Sequence, residues 1–226
     1  MPSIAENVSL VREAMVRACD RADRDPQTVR LLPVTKYVEH AQIQALIDLG
    51  FKEFGESRPQ QLIARAQHFS TQIRWHQIGH LQRNKVKQLL PYISAIHSVD
   101  SIRLAEALSE ASGKSGVLPE ILLEINLSGE ASKDGFSPVE LQDAWPTLTA
   151  LPHLKITGLM TMAAQSDDIE SARPTFRNLR LLRDELNTTL SDDRKLTQLS
   201  MGMSDDFPVA IEEGATIIRI GSRLFS

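Results

Sequence analysis

The sequence predicts an α/β chain folded as one (β/α)8 TIM barrel with an extra N-terminal helix. Three observations carry that reading. Eight short apolar runs alternate with amphipathic stretches along the whole chain, which calls for a parallel sheet with helical crossovers. The repeats run to roughly 25 to 30 residues, the length of one strand and one helix in a closed barrel. No GxGxxG follows the first run, which weighs against an open doubly wound sheet, the runner-up.

The first stretch places Ile4, Val8, Val11, Met15 and Ala18 on one stripe, predicting a helix over residues 3–23. Strands are expected at "LLPVT", "EFGE", "RWHQIG", "AIHSV", "ILLEINL", "KITGLM", "TQLSM" and "TIIRIG". Between them, helical patterns cover Ala41 to Leu49, Pro59 to His68, Arg83 to Leu90, Ile102 to Gly113, Pro138 to Thr149 and Ile169 to Leu190. Helix-start signals agree at "SVDS" before Ile102, at Ser137 with Pro138, and at Ser204. No linker or composition shift divides residues 1–226, so one domain is expected.

With a net charge of -4 the chain has no electrostatic case for a nucleic-acid or anionic-membrane partner. Its one cysteine, Cys19, cannot form an intrachain disulfide and reads as inert helix packing. The N-terminus lacks the basic start and apolar block of a signal peptide, and no apolar run approaches the roughly 20 residues that span a bilayer. A cytoplasmic monomer is expected.

In a barrel, alternate side chains point inward and reacting groups sit at the C-terminal strand ends. If Leu32 and Val34 face the interior, so does Lys36, at the mouth. A desolvated amine there can attack a carbonyl and form a Schiff base; a lysine snorkelling to the rim is the plainer alternative. Arg219 lies inside the eighth apolar run, and a buried guanidinium needs acceptors, from a structural carboxylate or from a ligand. The loops after the seventh and eighth strands commonly hold phosphate, and here they carry Ser200, Gly202, Gly221 and Ser222. Lysine, arginine and phosphate cradle on one rim suggest pyridoxal 5′-phosphate, with Lys36 on its aldehyde carbon and Arg219 on its ring nitrogen.

Seven segments, "LLPVTKYV", "FGESRPQQL", "WHQIGHLQRNK", "HSVDS", "INLSGEASKDGF", "GLMTM" and "LSMGMSDDFPVAIEEGATIIRIGSRLF", resemble those of the pyridoxal phosphate homeostasis proteins in the same order. The resemblance implies a barrel like the N-terminal domain of alanine racemase and binding of pyridoxal 5′-phosphate. It places the cofactor lysine at Lys36, the ring-facing arginine at Arg219, and phosphate contacts at Ser200, Gly221 and Ser222. Where that family usually reads "FGEN" this chain reads "FGES", so a pocket asparagine becomes Ser57.

His76 and His80 flank the end of the third strand, where an imidazole can shuttle protons, although Trp75 and His76 equally suit a core. The histidines form no cluster with cysteine, and no metal site is expected. Arg83, Lys85 and Lys87 read as a solvated basic helix start that can also attract an anion near the rim.

Most enzymes of this cofactor set a carboxylate against the ring nitrogen to keep it protonated. Arg219 cannot supply that proton, and a racemase needs an acid or base on each face of the substrate carbon. Because the chain ends soon after strand eight, the expectation is a non-catalytic protein that buffers pyridoxal 5′-phosphate or delivers it to apo-enzymes. A single-domain amino-acid racemase or a Schiff-base aldolase is the alternative.

Overall fold

The structure, a computed structural model, describes residues 3–127 and 134–226. Among them run eight parallel strands: β1 (Arg30–Pro33), β2 (Glu53–Glu56), β3 (Arg74–Gln77), β4 (Ala95–Val99), β5 (Glu120–Glu124), β6 (Lys155–Met160), β7 (Gln198–Ser200) and β8 (Ile217–Ile220). The hydrogen-bonded order is β1-β8-β7-β6-β5-β4-β3-β2. A parallel bridge between Val34 and Gly55 joins the two ends, so the sheet closes as a (β/α)8 barrel.

The helices are α1 (Ile4–Arg21), α2 (His40–Asp48), α3 (Pro59–His68), α4 (Val86–Leu89), α5 (Ile102–Ser115), α6 (Pro138–Ala150), α7 (Arg173–Asn187), α8 (Phe207–Glu212) and α9 (Ser222–Phe225). Their start signals work as the sequence implies. Ser3 and Ser137 close capping boxes with Glu6 and Glu140, and the Ser101 hydroxyl accepts from the Leu104 amide. Ser204 is the exception, because α8 starts later, after Asp206. The short α9 had no signal in the sequence.

Strand alternation sorts the side chains into two cores. Outward residues such as Phe54, Trp75, Ile96, Leu123 and Ile218 join the helices in one large core, while Leu32, Leu122, Met160 and Ile217, with Ile78 against them, fill the barrel interior. Trp75 therefore packs outside the barrel and its neighbour His76 inside. Cys19 is buried on α1, as expected of packing.

The extra helix has a positional task. Asn7 of α1 donates from Nδ2 to the carbonyls of Leu224 (3.3 Å) and Ser226 (3.0 Å), and Arg21 meets Glu212 of α8 at 2.6 Å. The Asn7 bonds seat α9, whose first residue follows directly on Gly221, and the Arg21 pair ties α1 to α8. No helix among the described residues is long and apolar enough to cross a membrane.

At the β1–β2 seam, Glu56 and Arg65 form a fully buried ion pair. One Arg65 nitrogen also donates to the Thr35 carbonyl (2.7 Å) and hydroxyl (2.8 Å), and the other donates to the Val38 carbonyl (2.8 Å). Removing one partner of such a pair strands the other charge in apolar surroundings, at a cost of about 3–5 kcal/mol. Arg65→Met should lower unfolding stability in urea by that order, whereas Arg74→Met, at the exposed Glu53 pair, should cost about 1 kcal/mol or less.

Candidate functional site at the barrel mouth

Lys36 sits at the corner of a tight turn. Strand β1 ends at Pro33, Val34 makes the closing bridge, and the chain then folds so that the Val38 amide donates to the Thr35 carbonyl at 3.1 Å. Tyr37, third in the turn, takes φ +82°, the left-handed conformation that a type II turn reserves for glycine. A tyrosine holds it because Arg65 grips the carbonyls of Thr35 and Val38 on either side.

The turn changes what alternation predicts for Lys36. Leu32 does face the interior, but the strand has ended before residue 36, and the Lys36 side chain is exposed at the mouth instead of desolvated within it. Its Nζ lies 5.6 Å from the centre of the Tyr37 ring, and the Arg58 guanidinium carbon lies 5.3 Å from the same ring. Sequence reasoning passed over Tyr37 and Arg58.

Ser57 follows β2 beside this turn. Its amide donates to Glu56 Oε1 at 2.7 Å, and Gln77 Nε2 donates to both the Ser57 carbonyl (2.9 Å) and the Gly79 carbonyl (2.8 Å). Its half-buried hydroxyl has no hydrogen-bond partner among the described residues.

On the other side of β1, next to its partner strand β8, Gly202 and Gly221 lie in the turns after β7 and β8. The Arg219 amide donates to the Gly202 carbonyl at 2.9 Å, tying the two loops together. Gly202 has φ +91°, and a Cβ there would stand 2.6 Å from Ala210 Cβ, so only glycine fits. Gly221 and Ser222 open α9, where the first amides lack intrahelical acceptors. Ser204 joins this group: it is 7% exposed and its hydroxyl has no partner among the described residues. The second serine of "SMGMSDD" was the available signal.

Ser200 behaves otherwise. It is fully buried, its hydroxyl and carbonyl each accept from one Arg219 nitrogen at 2.7 Å, and His97 Nδ1 lies 2.8 Å from that hydroxyl. Strands β4 and β7 are not neighbours, so the His97 contact crosses the barrel interior. The hydroxyl is thus spent beneath the arginine, which corrects the expectation that it faces a phosphate.

Arg219 is 4% exposed. Its second terminal nitrogen donates to the Thr161 carbonyl at 3.0 Å. No carboxylate touches it, so the structural ion pair weighed from sequence is absent among the described residues. Two of its five N–H groups, at Nε and the second terminal nitrogen, have no partner there. Burial pushes its pKa down to about 10 against the pull of Glu124 and Asp206, which leaves it charged at neutral pH.

Behind it the chain continues to His76, whose Nδ1 lies 3.0 Å from His97 Nε2. Burial pushes His76 down to about 3 and holds His97 well below the usual imidazole range, so both rings are neutral. Nothing in this geometry opens His76 to solvent.

His80, exposed at the rim, faces Asp100 at 3.1 Å and Asp134 at 3.4 Å. The three offer ligand atoms within 4.8 Å of one another. The sequence did not show this grouping, because the residues come from three separate loops. Lys85 and the rest of its helix start lie on this side. Of the loop "LSGEASKDGFSP", residues 128–133 fall outside the described residues.

Glu124 ends β5 facing inward, 5% exposed, with no hydrogen bond to its carboxylate among the described residues. Burial first, then Asp100 and Asp134, raise its pKa to about 7, against Arg219 and His80.

Residues 4–226 match the alanine racemase N-terminal domain model. The chain is 40% identical to the pyridoxal phosphate homeostasis protein of Aquifex aeolicus, over 97% of this chain and 96% of that one. It belongs to that family. The homeostasis protein of Pseudomonas aeruginosa is 37% identical over the whole chain and 96% of its own length. PipY of Synechococcus elongatus PCC7942, solved with pyridoxal phosphate bound, superposes with a TM-score of 0.83 at 34% identity, covering 94% of this chain and all of that one. Alanine racemase of Clostridium difficile shares the fold alone, at 16% identity and a TM-score of 0.75.

The Glu124 carboxyl gives a pH test. The fold keeps a proton that the unfolded chain, with a pKa near 4.5, has released, so stability falls as pH rises from about 4.5 to about 7. Glu124→Gln removes this cost. Its gain over the parent should be near zero at pH 4 and approach about 3 kcal/mol at pH 8 in urea unfolding.

Proposed function

We propose that this protein binds pyridoxal 5′-phosphate at the barrel mouth, holds it reversibly through Lys36, and buffers it or releases it to apo-enzymes, with no robust turnover of its own. The observation that carries the reading is Arg219: a permanent cation inside the barrel, fixed from below by Ser200 and Thr161, with two N–H donors unspent. The residues fit the group. A ring nitrogen that accepts suits Arg219; a phosphate suits the tied Gly202 and Gly221 loops with the Ser222 and Ser204 hydroxyls; and the exposed Lys36 stands past the end of β1, the strand that adjoins β8. Ser57, beside the Lys36 turn, lines the same mouth. The pyridoxal phosphate in the PipY structure and the names of the relatives support the same assignment.

When bound, the cofactor supplies an aldehyde that a primary amine captures as a Schiff base with release of water. Lys36 is that amine, and its exposure allows the bond to hydrolyse. Arg219 donates to the ring nitrogen without protonating it, so the ring stays a weak sink for carbanion charge. His97 and His76 stay neutral beneath it and offer the mouth no exchangeable acid. Water reaches Lys36 freely, which suits capture and release better than protected chemistry.

Purified protein given pyridoxal 5′-phosphate should absorb in the visible and retain a borohydride-fixed adduct on Lys36, and Lys36→Ala should lose both. A reduced adduct mapped to Lys85 or Lys87 would overturn the assignment. Affinity for pyridoxal 5′-phosphate should exceed that for pyridoxal at least tenfold, since each charge-assisted hydrogen bond contributes about 1.5–3 kcal/mol. Incubation with L- and D-alanine in deuterated water should give slow α-proton exchange and fast transfer to an apo-enzyme. Rapid, Lys36-dependent racemisation without transfer would establish the racemase reading instead.

A further inference from the structure

Beside the mouth, between the loops after β3 and β4, lies a cleft of about 800 Å³ lined among others by Gln82, Arg83, Asn84, Lys87, Ser101 and Arg103. Every other arginine among the described residues has a partner, whether a carboxylate, a carbonyl or an aromatic ring. Arg83 and Arg103 have none, and both line this one cleft. Lys87 beside them makes no hydrogen bond or ion pair among those residues either.

Asp100 and His80 line the same cleft, and neither Asp100 nor Glu110 pairs with the three cations. Asp100 gives its carboxylate to His80 at 3.1 Å and to the Ser101 hydroxyl at 2.9 Å, and Glu110 is engaged by Lys114. The 14-residue helix α5 begins at the cleft, where Ser101 caps the Leu104 amide and the positive end of the helix dipole adds to the local potential. Gln82 and Asn84 add neutral donors. In a chain with a net charge of -4, three unspent cations around one concavity are a local reversal of sign, and the guanidinium fork matches phosphate oxygens.

We propose that this cleft is a second anion site, taking a small phosphorylated ligand with two or more negative charges, such as a diphosphate ester. It lies on the β3 and β4 side of the rim, apart from the loops after β7 and β8, and does not depend on the cofactor reading. Three cations are too few for a nucleic-acid track, while the volume suits a small molecule.

The test is calorimetric titration of the full chain with inorganic pyrophosphate, with and without saturating pyridoxal 5′-phosphate. The latter fills the other cradle if the proposed function holds; if it does not bind, the cleft variants still decide. One pyrophosphate site, lost with the cleft arginines, is expected when the cofactor saturates its cradle, and that same site persists when the cofactor is left out. Arg83→Gln with Arg103→Gln should weaken it at least tenfold with an unchanged far-ultraviolet spectrum. Arg17→Gln with Lys195→Gln, which removes the same charge elsewhere, should leave it within twofold. No binding, equal binding by the double variant, an equal loss in the charge-matched control, or binding of polyglutamate but not pyrophosphate would each overturn the proposal.

Discussion

The barrel closes through a single bridge at the β1–β2 seam, and the buried Glu56–Arg65 pair holds that seam. Of the other junctions six register two to five residue pairs and β7–β8 registers one; the β1–β2 seam is equally sparse. This one carries Val34 against Gly55 and the Thr35 amide on the Gly55 carbonyl. A charge pair in such a place is a costly device. It fixes direction where ladder bonds are scarce: Arg65, reaching up from α3, makes contacts to Thr35, Val38 and Glu56 that no apolar side chain could replace. The same grip sets the turn that presents Lys36 and tolerates Tyr37 in a glycine conformation. Fold closure and placement of the Lys36 amine are thus one constraint.

The adjoining wall, β7 and β8, follows a different logic. Arg219 is desolvated yet charged, and its acceptors are neutral: two carbonyls and a hydroxyl. Neutral acceptors hold the guanidinium without cancelling its field, so the charge remains available to what lies above it. The Ser200, His97 and His76 chain continues this support across the interior. Both imidazoles are kept neutral by burial, which avoids stacking further positive charge beneath the arginine. The unpaired Nε2 of His76 is the cost of that arrangement.

Acidic and basic groups divide the rest of the rim. Glu124, Asp100, Asp134 and His80 gather at the ends of β3 to β5, and the uncompensated arginines lie just outside them. The field across the mouth is therefore uneven, with cationic Arg219 and Lys36 on the β8 and β1 side and carboxylates facing them. Within the mouth an anionic ligand is drawn to the former side and repelled by the carboxylates, while the cleft arginines lie outside them on the rim.

The sequence by itself determined the barrel. Hydrophobic period and spacing are local properties, and they placed all eight strands, most helix starts and the inward side of Leu32 and Arg219. It also put Lys36, Gly202, Gly221 and Ser222 at strand ends, because strand ends can be read from the pattern. Tertiary structure decided the rest. Alternation carried Lys36 inward only as long as the strand lasted, and strand length is set by the closing seam, not by residues 31–38. Ser200 stood one strand position from a glycine loop, yet the arginine it had to hold lay in another strand. His97 and Glu124 sit in apolar runs that give no hint of a partner, and His80, Asp100 and Asp134 lie far apart along the chain. Such groups acquire meaning only when closure brings separate strand ends around one mouth.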